Sequence, residues 1–173
     1  MLQEYDTMRG DDLSQQANDE APFNLTTDYS LYDEFIDEVR SPKMFFSYKP
    51  LLIRAMMELA DDKGAVELSR IVDYFAEYYD DRSRLGLVVE NDDSVFVKHR
   101  GDKDQTKRTI LMYPFKIYEE RGMIKKDEDQ DTLFVIPEIW NSLSIEKRYE
   151  IIEMCDKNLK EYFDKLQLCS EAP

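Results

Sequence analysis

The reading of this chain turns on Gln105–Pro137, QTKRTILMYPFKIYEERGMIKKDEDQDTLFVIP. Ile110, Leu111, Phe115, Ile117 and Tyr118 supply the apolar contacts of a helix over about Gln105–Arg121, which the spacing predicts with Asp104 as its N-cap. Pro114 interrupts it, because proline removes a backbone donor and clashes with the preceding turn. A bend satisfies that constraint, and so does a short helix to Met112 followed by a fresh start with Pro114 in its first turn. Arg121-Gly122 is a helix stop. Beyond it, Met123–Lys126 and Leu133–Ile136 flank the acidic turn Asp127–Asp131, the pattern of a hairpin with a charged tip.

Outward from this stretch, the remaining periodicity is helical. Ser30 with Asp33 three residues on predicts a capped helix carrying Phe35, Ile36 and Val39 on one face, ended by Ser41-Pro42. Phe45–Ala60 predicts a core helix that starts near Ser47 or Tyr48 and tolerates Pro50 in its first turn. Asp61–Gly64 reads as a turn, Ala65-Val66-Glu67 as a short strand and Leu68–Tyr79 as a second core helix. Tyr74, Tyr78 and Tyr79 read as helix packing, with an exposed aromatic patch as the alternative. Residues 85–97 contain two β-prone runs around Asn91–Ser94, so either a small hairpin or a long irregular insertion fits. Ser144 predicts the cap of a last helix over Ile145–Leu166, whose apolar stripe packs across the domain or forms a homodimer surface.

The fold class expected is mainly α with a small β hairpin (α+β). Its parts are a flexible acidic arm (1–27), an amphipathic helix (28–42), a core (43–143) and a C-terminal helix (144–168). Hydrophobic residues make up 42% of the 173, enough to bury a core. No apolar run approaches a membrane span, the first residues lack a signal-peptide pattern, and two cysteines make no disulfide framework, so a cytoplasmic protein without a membrane partner is expected.

The formal charge is −15, unevenly spread. Residues 98–126 carry nine basic and four acidic side chains, while residues 1–40 carry two and eleven. The basic island nominates Lys98, Arg100, Lys103, Lys107 and Arg108 before and within the first turns of the third helix, with Thr106 as a hydrogen-bonding neighbour and Lys125 and Lys126 on the hairpin. Lysine and arginine beside a helix N-terminus are what phosphates require, so nucleic acid, duplex DNA first, is the partner expected. Ordinary ion pairing within the helix is the alternative. A second reading makes the carboxylates the active surface. In it an adaptor or antagonist takes the place of DNA on a basic partner, through the acidic N-terminal arm.

Catalytic chemistry finds little support. His99 is the only histidine, the five glycines form no phosphate loop, and no nucleophile elbow is present. Paired acids such as Asp61 with Asp62 and Asp80 with Asp81 allow a metal-dependent nuclease in principle, yet they fall in turns and at helix ends. A non-enzymatic protein without cofactor or bound metal is expected.

Over Ser47–Pro137 the order of parts resembles the winged helix-turn-helix superfamily, most closely at Ile117-Tyr118-Glu119-Glu120-Arg121-Gly122-Met123-Ile124, which looks like the exit of a recognition helix into a wing. The segments Phe46–Pro50, Tyr74–Tyr79 and Tyr113-Pro114-Phe115 are similar to a small module of bacterial restriction and helicase-type defence proteins, and the acidic arm is extra to it. The resemblance implies a DNA-linked regulator or accessory subunit without catalysis of its own.

Overall fold

The computed structural model describes residues 29–170; the expected acidic arm lies outside them. The elements run α1 (Leu31–Arg40), α2 (Tyr48–Leu59), β1 (Ala65–Glu67), α3 (Leu68–Arg84), α4 (Val95–Lys98), α5 (Lys103–Ile110), a π turn (Leu111–Phe115), α6 (Lys116–Glu120), β2 (Ile124–Asp127), β3 (Thr132–Val135), α7 (Pro137–Trp140) and α8 (Ile145–Ser170). The protein is therefore mainly helical, with one small antiparallel sheet.

That sheet has three strands in the order β1-β3-β2. The hairpin expected from sequence is there, and β1 joins it by pairing Val66 with Leu133. Ile124, Val135, Leu133 and Val66 alternate inward and are fully buried or nearly so. The sheet is also locked to the helices by its own turn. Asp131 adopts φ +48°, and its carbonyl accepts a hydrogen bond from Leu68 N at 2.9 Å, satisfying an orphan donor at the start of α3.

Local chemistry sets the helix ends. Ser30 and Asp33 form a reciprocal capping box on α1. Gly122, at φ +72°, closes α6: its N–H donates to Glu119 O, and Met123 N donates to Tyr118 O, the two bonds of a Schellman stop. Three boundaries differ from expectation. Helix three begins at Lys103, because Asp102, rather than Asp104, caps it by accepting from Gln105 N at 3.0 Å. Pro114 neither splits nor breaks the helix; a π turn widens the backbone where the ring would meet the preceding carbonyls, and α5, the π turn and α6 run on without interruption. The second core helix runs on past Tyr79 to Arg84, while the first starts at Tyr48 as expected.

Residues 85–94 hold no strand, and the second β-prone run is the short helix α4, so of the two readings the irregular insertion is found. Two contacts explain this. Ser94 caps α4 by accepting from Phe96 N, and Phe96 is buried against Tyr79 at 4.2 Å and Tyr48 at 5.4 Å between ring centres. Glu90 then anchors the loop. Its buried carboxylate accepts from Ser47 N at 3.0 Å, from Asn91 N at 2.8 Å, and from the hydroxyls of Ser47 and Tyr162. Ser47 Oγ also meets Tyr79 Oη at 2.6 Å, so Tyr79 is a core residue and not part of an exposed patch.

The core lies between α1, α2, α3 and α8, with α7 closing one end. The apolar stripe of α8 is used within the chain: Ile151, Cys155, Leu159 and Phe163 are all buried, and Asn158 donates to Val39 O at 2.8 Å to hold the end of α1. Trp140 covers Gly64 so closely that a Cβ there would stand 2.7 Å from the indole ring. Gly64 also sits at φ +82°, a conformation that disfavours any side chain.

Two substitutions test this account. Gly64→Ala is expected to destabilise the fold by about 2 kcal/mol or more, combining left-handed strain with displacement of Trp140. Glu90→Ala strands buried donors from three segments and is expected to cost at least about 2 kcal/mol. Both are read as a lower urea midpoint with an unchanged slope.

Candidate nucleic-acid interface

The basic island is built by the α4–α5 turn, helix three and the hairpin. Lys98 follows Ser94, the cap of α4, and pairs with Asp93 at 2.9 Å. Arg100 lies back on the end of α3, 2.9 Å from Asp80 and hydrogen-bonded to Ser83. Lys103 opens α5 and meets Asp73 of α3 at 2.7 Å. Lys107, one turn further on, reaches Asp131 of the hairpin at 2.6 Å. Lys126 meets the same Asp131 at 3.4 Å, and also Glu128. Five of the nominated cations are thus held by the chain's own carboxylates.

The others are dispersed. Thr106 is 3% exposed and packs toward α3, so it has no surface to offer; helical spacing puts Thr106, Thr109 and Ile110 on the buried side of α5. Arg108 is exposed, and its Nε donates to Met112 Sδ at 3.4 Å. Lys125 is exposed on β2, and strand alternation turns it away from Lys126 to the opposite face of the sheet. Among the described residues neither Arg108 nor Lys125 has a carboxylate within ion-pair distance.

Asp131 is the residue whose role the sequence conceals. In a linear reading it is one acid among four in a turn. In the fold, its carboxylate bridges Lys107 and Lys126 while its carbonyl starts α3. The Lys107 hydrogen bond, with Lys126 beside it, holds the Asp131 carboxyl below the usual carboxylate range. The folded state therefore favours the charged form. That contribution is present above the unfolded carboxyl's pKa of about 4 and is lost as pH falls through the lower folded value. The pair is about half exposed, so screening keeps its worth small.

Weak pairing does not make the cations available. A phosphate that took Lys107 and Lys126 would leave the Asp131 carboxylate beside it, and the same holds for Arg100 with Asp80 and Lys103 with Asp73. Each of these cations thus has a carboxylate of the same chain within ion-pair distance.

No group of three or more His, Cys, Asp or Glu among the described residues could hold a metal ion. His99 is an exposed residue at the end of α4. Cys155 is a buried free thiol, its pKa pushed far up by desolvation, and thus not a nucleophile. No described helix is long and apolar enough to cross a membrane.

Comparison with known proteins adds no relative: no family model, no curated protein and no solved structure matches the chain.

Asp131→Asn is the direct probe of this pairing. Asparagine tolerates φ +48° and keeps the carbonyl, so the fold is expected to survive with its thermal midpoint little changed. With Lys107 released and Lys126 left to Glu128 alone, retention on a heparin column is expected to increase over wild type.

Proposed function

We propose that this chain is a non-enzymatic, acidic protein-binding adaptor on a winged-helix frame, acting on a basic, nucleic-acid-binding partner in place of DNA. The frame is suggested by the order helix, strand, helix α3, the short α4, the α5–α6 helix and hairpin over Tyr48–Val135, with the strands arranged β1-β3-β2. One observation carries the choice of partner: Lys98, Arg100, Lys103, Lys107 and Lys126 are each occupied by an aspartate of the same chain. With the basic island neutralised in this way, the net −15 is left to dominate the field that an approaching molecule meets. Residues 1–28 add seven acidic and one basic side chain to it.

The second reading, contact with duplex DNA through helix three and the wing, is favoured by the exposed Arg108 and Lys125. They are two cations, against the several phosphate contacts that non-specific affinity is built from.

A competition assay separates the two. A lysine-rich peptide is bound to labelled duplex DNA, and the protein is titrated in at about 0.15 M salt. The adaptor reading expects release of the duplex, weakening as salt rises, with a smaller effect from a chain lacking residues 1–28. The cut stops there because α1 carries the buried Phe35 and Val39 and belongs to the core. Failure to release the duplex counts against the adaptor. Direct, salt-sensitive binding of the protein to duplex, impaired by Arg108→Ala, supports the DNA reading instead.

A further inference from the structure

The most exposed aromatic side chain of the described fold is Phe45, 78% accessible at the approach to α2. It forms one wall of an open groove of about 550 Å³. Phe45 packs edge-on to Phe46, with ring centres 5.1 Å apart, and Phe46 stacks on the buried Tyr48 at 4.7 Å, so this wall is a braced aromatic ladder. The opposite wall is the π turn: Pro114 is buried in it and Tyr113 is turned outward, 54% exposed. A regular α-helical turn cannot take proline at this position without losing its geometry, and π turns recur at functional sites.

Charge distinguishes this groove from the rest of the surface. The chain has 38 acidic residues against 23 basic, yet among the described residues the only charged side chains lining the groove are Lys43 and Lys49. Lys49 is committed to Glu38 at 2.8 Å and is largely buried. Lys43 is exposed and has no carboxylate within ion-pair distance among the described residues. A braced apolar slot with one uncommitted ammonium at its rim is complementary to an apolar anchor flanked by negative charge.

We propose that this groove docks a short segment of a partner protein. That segment carries an aromatic or aliphatic anchor, seated between Phe45 and Tyr113, beside a carboxylate that pairs with Lys43. The site is separate from the acidic surface discussed above and goes beyond that reading: it would give the adaptor a second partner of opposite charge character. None of the cations nominated from the basic island lines it.

Panning a displayed library of random peptides on the full-length protein tests this. The expected outcome is enrichment of peptides with an aromatic or aliphatic residue next to Asp or Glu. A synthetic copy of an enriched peptide should bind at least about tenfold more weakly to Lys43→Glu and to Tyr113→Ala, and normally to Lys43→Arg. Both side chains are exposed, so unfolding midpoints should stay at the wild-type value and separate lost docking from lost fold. No enrichment, enrichment of basic peptides, or binding indifferent to both substitutions overturns the proposal. So does enrichment seen only after residues 1–28 are removed, which would make the chain's own start the occupant. A dimer in sedimentation that Phe45→Ser dissolves would make the occupant a second copy and overturn it too. Duplex release by the lysine-rich peptide assay should be unchanged in Lys43→Glu, so this site can fail while the acidic-surface reading stands.

Discussion

The Glu90 carboxylate is the constraint on which the arrangement of the rest depends. It lies buried in an irregular loop, without a cation at its oxygens, and is satisfied by donors alone: two backbone N–H groups and the hydroxyls of Ser47 and Tyr162. A buried charge with that many hydrogen bonds is tolerated; with fewer it would not be. The donors come from the start of α2, from the loop itself and from α8, while Tyr79 of α3 joins through Ser47. One side chain thus fixes where the long insertion meets three helices. The insertion in turn delivers Phe96 into the aromatic cluster and sets the start of α5.

Once α5 is placed against α3, the electrostatics of the surface follow. The cations at its start face acids on the outer side of α3, and those further along face the hairpin turn. Arg100, Lys103 and Lys107 therefore find partners 20 to 30 residues away in the chain. These pairs are exposed and individually weak. Their importance is spatial: a fixed carboxylate beside each ammonium cancels the local potential that would draw in a phosphate. Lys43, an ammonium with no carboxylate at ion-pair distance among the described residues, stands instead beside an apolar slot.

Much of this was legible beforehand. The caps at Ser30 and Ser144, the glycine stop at Gly122, the hairpin around Asp127–Asp131 and the buried faces of α2, α3 and α8 all follow from signals within a few residues of where they act. The misread boundaries share a cause. Asp104 and Asp102 are equally good caps on paper, and only the path of the preceding loop selects Asp102. The run Val95-Phe96-Val97 has β propensity, but a buried ring has to satisfy the aromatic cluster it enters, and a helical turn does so. Pro114 announced a disturbance without saying which kind, since a kink, a break and a π turn all relieve the same clash.

By itself, the amino-acid sequence determined the helical class, the hairpin, most element ends and the location of the basic residues along the chain, because each is governed by neighbours one to five positions away. It did not determine whether those basic residues are available. That was decided when α3, α5 and the hairpin turn came together, since ion pairing between residues 20 to 30 apart depends on distances that no local pattern encodes. The groove between Phe45 and Tyr113 belongs to the same category: its two walls are separated by 68 positions in the chain and face each other only because the core packs α2 against the π turn.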